Sequence, residues 1–243
     1  MDSFAPETIA IAAAIAVAAG LIRGITGFGG AMVMSPPFAL LLGPLVAVPV
    51  VLLLEGVAAL PMVAAARSLV RWPVIGPITA AACLTIPLGT WALVAVEPDT
   101  MRRVIAATVI VFALVLMRGW RHSGRHRPAT GLALGALSGT MVGATSMGGP
   151  PVILYLLSGP DPVEVTRANL TVFVCAISMA GIAGLWAGGV LTATGAGLAA
   201  LLAPGYYGGI VLGARVFPRL GDRRFRQLVL ALLMAVSLGI LLA

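Results

Sequence analysis

Long apolar stretches separated by short polar loops make up most of the chain. Residues 129–160 and 168–214 contain no charged side chain, and about 20 apolar residues already span a bilayer. The pattern predicts helices, because open sheets cannot cross a bilayer and these stretches are too apolar for barrel strands. The predicted segments lie near residues 7–23, 29–42, 45–66, 73–96, 101–118, 129–144, 147–158, 163–189, 193–216 and 224–243.

The composition also indicates an all-α, polytopic membrane protein. Hydrophobic residues make up 60% of the chain and charged residues 9%, whereas an average soluble domain has about 25% charged residues. The start, "MDSFAPETIA", has no basic residue, so we expect no cleaved signal peptide and a first segment that stays in the mature chain. Cys83 and Cys175 lie inside apolar segments, which predicts neither a disulfide nor a metal site.

The basic residues are informative about topology. All fifteen are Arg, the net charge is +7, and eleven lie in or beside three loops, near residues 67–71, 118–127 and 215–226. The positive-inside rule places these loops, including 118–128, in the cytoplasm and the N-terminus outside. Arg102 and Arg103 on the outer side oppose this orientation, as do Asp161 and Glu164 in a cytoplasmic loop. Because topology explains the charge, we predict no nucleic-acid partner.

Two segments rich in glycine and proline interrupt the apolar pattern. Their sequences are "GITGFGGAMVMSPP" at 24–37 and "GATSMGGPP" at 143–151. The 32 uncharged residues of 129–160 are too many for one crossing and too few for two full crossings with a turn. We therefore predict a broken helical hairpin at each segment, either re-entrant or fully crossing.

The two breaks align without gaps. "GLIRGITGFGG" at 20–30 matches "GTMVGATSMGG" at 139–149, and a Pro-Pro pair and then Gly-Pro follow each. Later segments of the two halves also align. Each half has a helix that is predicted to break at a proline, which is Pro87 in the first half and Pro204 in the second. With the predicted topology, these matches give two inverted repeats of five segments, each opening with a hairpin: a first repeat over 1–120, a basic cytoplasmic linker at 121–128 and a second repeat over 129–243.

Paired breaks in two inverted halves are typical of transporters, whose substrate site lies between them near the midplane. Glycine lets the backbone approach a ligand, and the start of a half-helix favours an anion. The predicted substrate ligands at the breaks are Thr26, Gly29, Gly30, Thr145, Ser146, Gly148 and Gly149. The alternative for the hydroxyls is bonding to a helix carbonyl. Close helix packing is predicted instead for a second set of glycines with GxxxG spacing: Gly20, Gly24, Gly135, Gly139 and Gly143.

The whole chain resembles the TauE/SafE sulfite exporter family of bacterial anion permeases. The resemblance is carried by "GLIRGITGFGGAMVMSPP", "GALSGTMVGATSMGGPPVILYLL" and "LGARVFPRLGDRRFRQLVLALLMAVSLGILL". It implies a multi-pass protein of the bacterial inner membrane that moves sulfite, sulfonates or similar small anions. It also implies that Gly29–Gly30 and Gly148–Gly149 are the family's two Gly-Gly breaks.

Few charged residues lie near the apolar segments. Glu55 is a candidate proton carrier, and the alternative is a paired Glu that holds helices together. Arg23 beside the first break is a candidate anion ligand, with pairing to Glu55 or an interfacial position as alternatives. Arg167 and Asn169 are candidate ligands after the second hairpin, although Arg167 could instead pair with Asp161 or Glu164. Tyr206 and Tyr207 are expected either to line the pathway or to pack.

These features predict a secondary transporter of a small anion, coupled to the proton gradient. A passive anion channel is one alternative. An intramembrane enzyme is another, but the sequence has no HExxH motif and no paired Asp in its spans. No GxxxxGK[ST] loop occurs, so we expect energy from gradients and no cofactor or metal. The expected partners are the anion and the bilayer, and a homo-oligomer is a further candidate.

Overall fold

The computed structural model describes residues 4–26, 29–117, 127–157, 159, 161–216, 234 and 237–238. Within these residues it has nine α-helices, one short 3-10 turn and no strand. The helices are α1 (Pro6–Thr26), α2 (Gly30–Leu42), α3 (Pro44–Ala66), α4 (Trp72–Ala95), α5 (Pro98–Met117), α6 (Pro128–Thr145), α7 (Gly149–Leu157), α8 (Val163–Ala187) and α9 (Ala193–Val216). Each coincides with a predicted apolar segment, which confirms the all-α class.

Two predicted regions fall largely beyond the described residues. The tenth segment, 224–243, is described only at Met234, Ser237 and Leu238. The basic linker 121–128 is described only at Arg127 and Pro128. The helix content of 224–243 and the conformation of the linker therefore stay predictions.

Five of the described helices are long and apolar enough to cross a membrane, so the chain is a multi-pass membrane protein. They cover Pro6–Ile25, Pro44–Ala64, Trp72–Ala95, Glu164–Ala187 and Ala193–Arg215. Large apolar side chains point outward, among them Leu84 at 80% exposure, as expected where lipid replaces water. Trp72 and Trp91, both exposed, stand about 28 Å apart along α4, close to the thickness of a bilayer core.

The hairpins have one long arm and one short arm. α1 and α6 have 21 and 18 residues, whereas α2 and α7 have 13 and 9. At 1.5 Å per residue, α7 is only about 14 Å long and reaches part of the way through a bilayer. The short α7 agrees with the length argument for residues 129–160, whereas α1, with 21 residues, is long enough to cross.

Proline does not break α4 or α9. The sequence predicted interruptions at Pro87 and Pro204, but both residues lie inside continuous helices. The physical reason is that a membrane helix tolerates the missing N–H when neighbouring helices and Ser or Thr hydroxyls satisfy the freed carbonyls. The interruptions that the structure retains are the turns before α2 and α7.

Helices pack at close range through glycine. α1 packs on α9 and α4 packs on α6, and in both pairs glycine Cα atoms face the backbone of the partner, so a Cβ would overlap a carbonyl oxygen. The contacts are Gly20 with Tyr206, Gly24 with Ile210, Gly209 with Val17, Gly213 with Leu21, Gly135 with Ile78, Gly139 with Ala82, Gly143 with Ile86 and Gly89 with Thr140. The packing interpretation of the GxxxG spacing is therefore correct.

The order of these contacts gives the relative directions of the helices. α1 and α9 run in the same direction, as do α4 and α6, because the contacting residue numbers rise together. α3 and α8 run in opposite directions, since Gly56 lies near Ser178 while Arg71, beyond the end of α3, binds Asn169 near the start of α8. These are the relative directions that the predicted topology requires.

Two of the four residues that opposed the predicted orientation, Asp161 and Arg102, have local partners. Asp161 forms an ion pair with Arg71, so its charge is balanced at the same end of the bundle. At the other end, Arg102 pairs with Asp99 at 2.6 Å and donates from Nε to the Ala39 carbonyl, 3.1 Å away, in the last turn of α2. An Arg at a helix C-terminus is stabilised by the helix dipole, which gives Arg102 a role unrelated to topology.

Candidate functional site

A charged cluster lies at the first break, inside the bundle. Arg23 is in the last turn of α1 and Glu55 is near the middle of α3, and each is 6% exposed. The Arg23 guanidinium forms an ion pair with Oε2 of Glu55. Arg23 thus pairs with Glu55, which was one of its three predicted alternatives, and its contact with substrate stays a prediction.

Tyr206 completes this cluster from α9. Its hydroxyl donates to Oε1 of Glu55 at 2.6 Å, and Nη1 of Arg23 lies 3.3 Å from the same hydroxyl oxygen, to which it donates. The Tyr206 side chain is fully buried. We call Arg23, Glu55 and Tyr206 the triad. It joins α1, α3 and α9 at one point, and every polar atom of the carboxylate has a donor.

The Gly29–Gly30 pair has two separate reasons to be glycine. Gly29 has φ 92° and ψ −1°, a left-handed conformation that costs a side-chain-bearing residue free energy. Gly30 begins α2 beside the triad, where a Cβ would overlap Oε1 of Glu55 and the Tyr206 hydroxyl. The triad therefore lies against the first turn of α2, where the helix dipole favours negative charge.

The second break is polar but carries no charge. Ser146 follows α6 with φ 61°, and its hydroxyl lies 2.7 Å from that of Ser35 in α2. Ser138 donates to the Gly148 carbonyl, which holds the turn against α6. The Thr145 hydroxyl donates to the Met141 carbonyl at 2.8 Å, which is the back-bonding alternative that the sequence allowed.

The two glycines of the second break differ in what surrounds them. A Cβ at Gly148 would overlap Val142 and the Ser138 carbonyl, whereas the nearest atom to a Cβ at Gly149 is Ile153 Cδ1 at 3.4 Å. Val142, which aligns with Arg23, is 1% exposed. The two breaks thus differ chemically: the first has a buried ion pair, and the second has hydroxyls and an apolar wall.

The predicted site residues fall into three places. Arg23, Glu55, Gly29 and Gly30 come together at the first break, where Thr26 is the last residue of α1. Thr145, Ser146, Gly148 and Gly149 form the second break, and the Ser35–Ser146 contact links it to α2.

Arg167 and Asn169 lie at the start of α8. Arg167 is exposed, and Asp161, one of its predicted partners, pairs with Arg71 instead. Asn169 is fully buried, and its Oδ1 accepts from the Arg71 backbone N–H at 2.8 Å. Because Ser178, near the level of Glu55, is nine residues further along α8, Asn169 is about 14 Å away along the helix axis. Its ligand role stays a prediction.

A cavity of about 240 Å³ lies near this end, beside the second hairpin. Arg71, Asp161 and Tyr155 contribute polar groups to its lining, and the remaining wall is mainly Pro, Leu, Ile and Val from α4, α6 and α7. The Tyr155 hydroxyl donates to the Arg127 carbonyl at 3.3 Å. Both ends of the second hairpin therefore lie on the same side of the bundle, as predicted.

Tyr206 and Ser35 were not among the predicted site residues. Tyr206 lies in "APGYYGG", a signal that allowed either a pathway or a packing role, but its partner Glu55 is 151 positions earlier. Ser35 gave no signal because a single serine in a membrane helix most often bonds to its own helix. Among the described residues, no group of three His, Cys, Asp or Glu side chains is arranged to hold a metal.

Comparison with known proteins gives one match. The family model described as "Sulfite exporter TauE/SafE" matches residues 12–240, which is nearly the whole chain. Searches of curated proteins and of solved structures return no significant match.

Proposed function

The chain belongs to the sulfite exporter TauE/SafE family, and on that basis we propose that it is a secondary transporter of a small anion coupled to the proton gradient. The substrate is sulfite, a sulfonate or a related organic or inorganic oxyanion. The observation that carries the proposal is the triad: an ion pair and a buried tyrosine at a helix break inside a membrane bundle.

Buried charges inside a membrane need a functional or structural reason. They are costly and rare, and they commonly mark ion pathways or proton relays. Arg23 offers a guanidinium fork suited to oxyanions, and Glu55 offers a carboxylate that can carry a proton. The first turn of α2 adds a favourable potential for an anion. These features support a site at the first break, with Gly29, Gly30 and Thr26 around it.

The packing supports the proposal of two inverted repeats. Gly20 and Gly139, which align in sequence, lie against the carbonyls of Tyr206 in α9 and Ala82 in α4. α1 thus packs on α9 as α6 packs on α4. These contacts make Tyr206 in α9 the equivalent of Ala82 in α4. The sequence alignment instead makes Pro204 the equivalent of Pro87, and the two alignments differ by seven residues. Seven residues are about two turns, so the same helix face is used.

The same contacts suggest which bodies move. Alternating access usually rocks one rigid body against another around a fixed site. α1 cannot separate from α9, nor α4 from α6, without opening backbone-to-backbone contacts. We therefore propose that the moving bodies are the α1–α2–α9 group and the α4–α6–α7 group. These groups exchange helices between the sequence repeats, and the Ser35–Ser146 contact lies between them.

We also propose the orientation that the arginine loops predict, in the bacterial inner membrane with the N-terminus outside. The support is that Arg71, Arg127 and Asp161 lie at one end of the bundle and Asp99 at the other. The second break, with Thr145, Ser146, Gly148 and Gly149, would then contact the anion opposite the triad, and Arg167 and Asn169 would lie near the cytoplasmic entrance.

A passive anion channel is the second candidate, and an intramembrane enzyme is the third. The triad favours a carrier over a channel, since an open pore does not need a buried carboxylate paired with a buried arginine. The membership in a transporter family argues against an enzyme.

The test is flux into proteoliposomes containing the purified protein. The panel is sulfite, sulfate, thiosulfate, sulfoacetate, acetate and chloride, each with and without a pH gradient. We expect saturable uptake of at least one oxyanion that a pH gradient accelerates. Flux that never saturates and ignores the gradient would identify a channel. Absence of flux for the whole panel, with folded protein, would reject the anion assignment.

A further inference from the structure

Glu55 is held in the way that an oxyanion ligand would be held. One carboxylate oxygen is paired with the Arg23 guanidinium, and the other accepts from the Tyr206 hydroxyl at 2.6 Å. The group also lies against the first turn of α2 at Gly30. A guanidinium, a phenol hydroxyl and a helix N-terminus are donors suited to an anion that presents two or more oxygens.

Arg23 cannot be left without a negative partner. Among the described residues it is the one arginine that is buried. An unpaired buried cation is strongly destabilising, and removing one partner of a buried ion pair creates that situation. If a substrate anion binds Arg23, the Glu55 carboxylate must leave. If the anion departs, the carboxylate must return.

We infer that Arg23 and Tyr206 form the anion-binding site, that Glu55 fills it in the empty protein, and that a monovalent oxyanion replaces Glu55 once a proton has neutralised it. The inference rests on the proposed transport function and adds to it the ligands, the class of anion and the coupling. In the structure, the Glu55 carboxylate lies where the inference places the substrate anion.

The charges balance in both states. In the empty site, Arg23 carries +1 and Glu55 carries −1. In the loaded site, Arg23 carries +1, the bound anion carries −1 and Glu55 holds the proton on a carboxylate oxygen. One proton therefore enters with each monovalent anion, which makes transport an electroneutral symport with a ratio of one to one.

No second carboxylate is available to share the proton among the described neighbours of Glu55. Arg23 faces it from α1, Tyr206 faces it from α9, and α2, which lies beside it at Gly30, has no titratable side chain. Tyr207 in α9 and Cys175 in α8 lie within electrostatic reach of Arg23. Glu55 is thus the one acidic group at this site among the residues that the structure describes.

The first experiment measures binding of methanesulfonate, a monoanion at all pH values used, to purified protein by titration calorimetry. Binding takes up one proton, so it weakens as protons become scarcer. Over the range in which Glu55 is ionised in the empty protein, Kd should therefore rise tenfold for each unit of pH increase. Glu55→Gln should bind methanesulfonate with a Kd that does not depend on pH. Nitrate should behave like methanesulfonate, whereas chloride, which has a single atom to offer, should bind at least tenfold more weakly.

Two further variants separate binding from folding. Glu164→Gln removes an exposed carboxylate and should keep the tenfold slope. Tyr206→Phe should keep the slope and change Kd less than tenfold, because the hydroxyl bonds Glu55 in the empty site and the anion in the loaded site, and the variant loses one such bond in each state. A Glu55→Gln protein that is folded but binds neither methanesulfonate nor nitrate would overturn the inference, as would an unchanged pH slope in that variant.

Transport measurements distinguish this inference from the proposed function. In proteoliposomes, an imposed potassium diffusion potential should leave the initial rate of the wild-type protein unchanged and should alter the rate of Glu55→Gln. Saturable anion flux that is driven by the potential in the wild-type protein would retain the transporter but reject the electroneutral exchange at Arg23.

Discussion

Tyr206 donates its hydroxyl hydrogen to Glu55 across 2.6 Å, although the two residues are 151 positions apart in the chain. The bond ties α9 to α3 at the point where Arg23 enters from α1. Three helices thus meet at a single carboxylate, beside the glycine that begins α2. Any motion that opens the first break must change this arrangement.

Replacing Tyr206 tests the energy of that bond. Tyr206→Phe keeps the ring and removes the donor, so we expect a loss of about 1.5–3 kcal/mol in stability, the range for hydrogen bonds to charged groups. The control is the neighbouring Tyr207→Phe, because the buried Tyr207 hydroxyl has no hydrogen-bond partner in the described part of the chain. Thermal unfolding in detergent should show a lower Tm for the first variant and no loss for the second.

The Arg23–Glu55 ion pair predicts strong non-additivity. Arg23→Gln alone leaves a buried carboxylate unpaired, which should cost about 3–5 kcal/mol. The double variant Arg23→Gln/Glu55→Gln leaves no buried charge, so it should be more stable than Arg23→Gln. Denaturation of the four proteins of this double-mutant cycle gives the coupling. Additive losses would mean that the pair contributes no interaction of its own.

Adjacent glycines in α9 predict opposite effects. A Cβ at Gly209 overlaps the Val17 carbonyl, whereas a Cβ at Gly208 meets no atom within 4 Å. Gly209→Ala should therefore separate α1 from α9 and lower Tm, together with loss of flux. Gly208→Ala should be neutral or stabilising by about 0.5–1 kcal/mol, the gain of Ala over Gly inside a helix. Equal Tm values for the two variants would contradict the close packing.

Ser146 combines an unfavourable backbone conformation with a contact between hairpins. Ser146→Gly relieves the left-handed backbone and loses the bond to Ser35, while Ser146→Ala loses the bond and keeps the strain. We expect Ala to be less stable than Gly by about 1 kcal/mol. Ser35→Ala serves as the control, because it removes the same hydrogen bond without a backbone change. A more stable Ala variant would exclude a left-handed Ser146.

The ends of the bundle predict labelling by an impermeant thiol reagent. In a background without Cys83 and Cys175, Ser68→Cys and Glu164→Cys should react from one side of the membrane, since Arg71 and Asp161 pair between their loops. Asp99→Cys should react from the opposite side. Labelling of intact cells and of inverted vesicles decides the absolute orientation, for which the arginine loops predict that the Ser68 side is cytoplasmic. Labelling of Ser68→Cys and Glu164→Cys from different sides would contradict the packing.

The sequence by itself determined the helices and most of their ends. A bilayer leaves every backbone group to be satisfied within its own segment, so length and hydropathy are enough to locate α1 to α9. Gly29–Gly30 and Gly148–Gly149 marked the two breaks, since a turn inside the bilayer requires residues whose backbone can adopt it. Glu55 and Arg23 stood out because charge in lipid is rare.

Only the tertiary structure decided which of these residues act together. The sequence left Tyr206 between a pathway role and a packing role and left three alternatives for Arg23. The reason is that contacts between residues 151 or 183 positions apart depend on packing angles and register. The equivalence of α4 and α9 is a second example, because the alignment from sequence and the one from packing differ by seven residues. Both alignments keep the same helix face toward the neighbour, and only the backbone contacts in the structure select one of them. The continuity of α4 through Pro87 also depends on neighbours, since a freed carbonyl is tolerated only where other helices satisfy it.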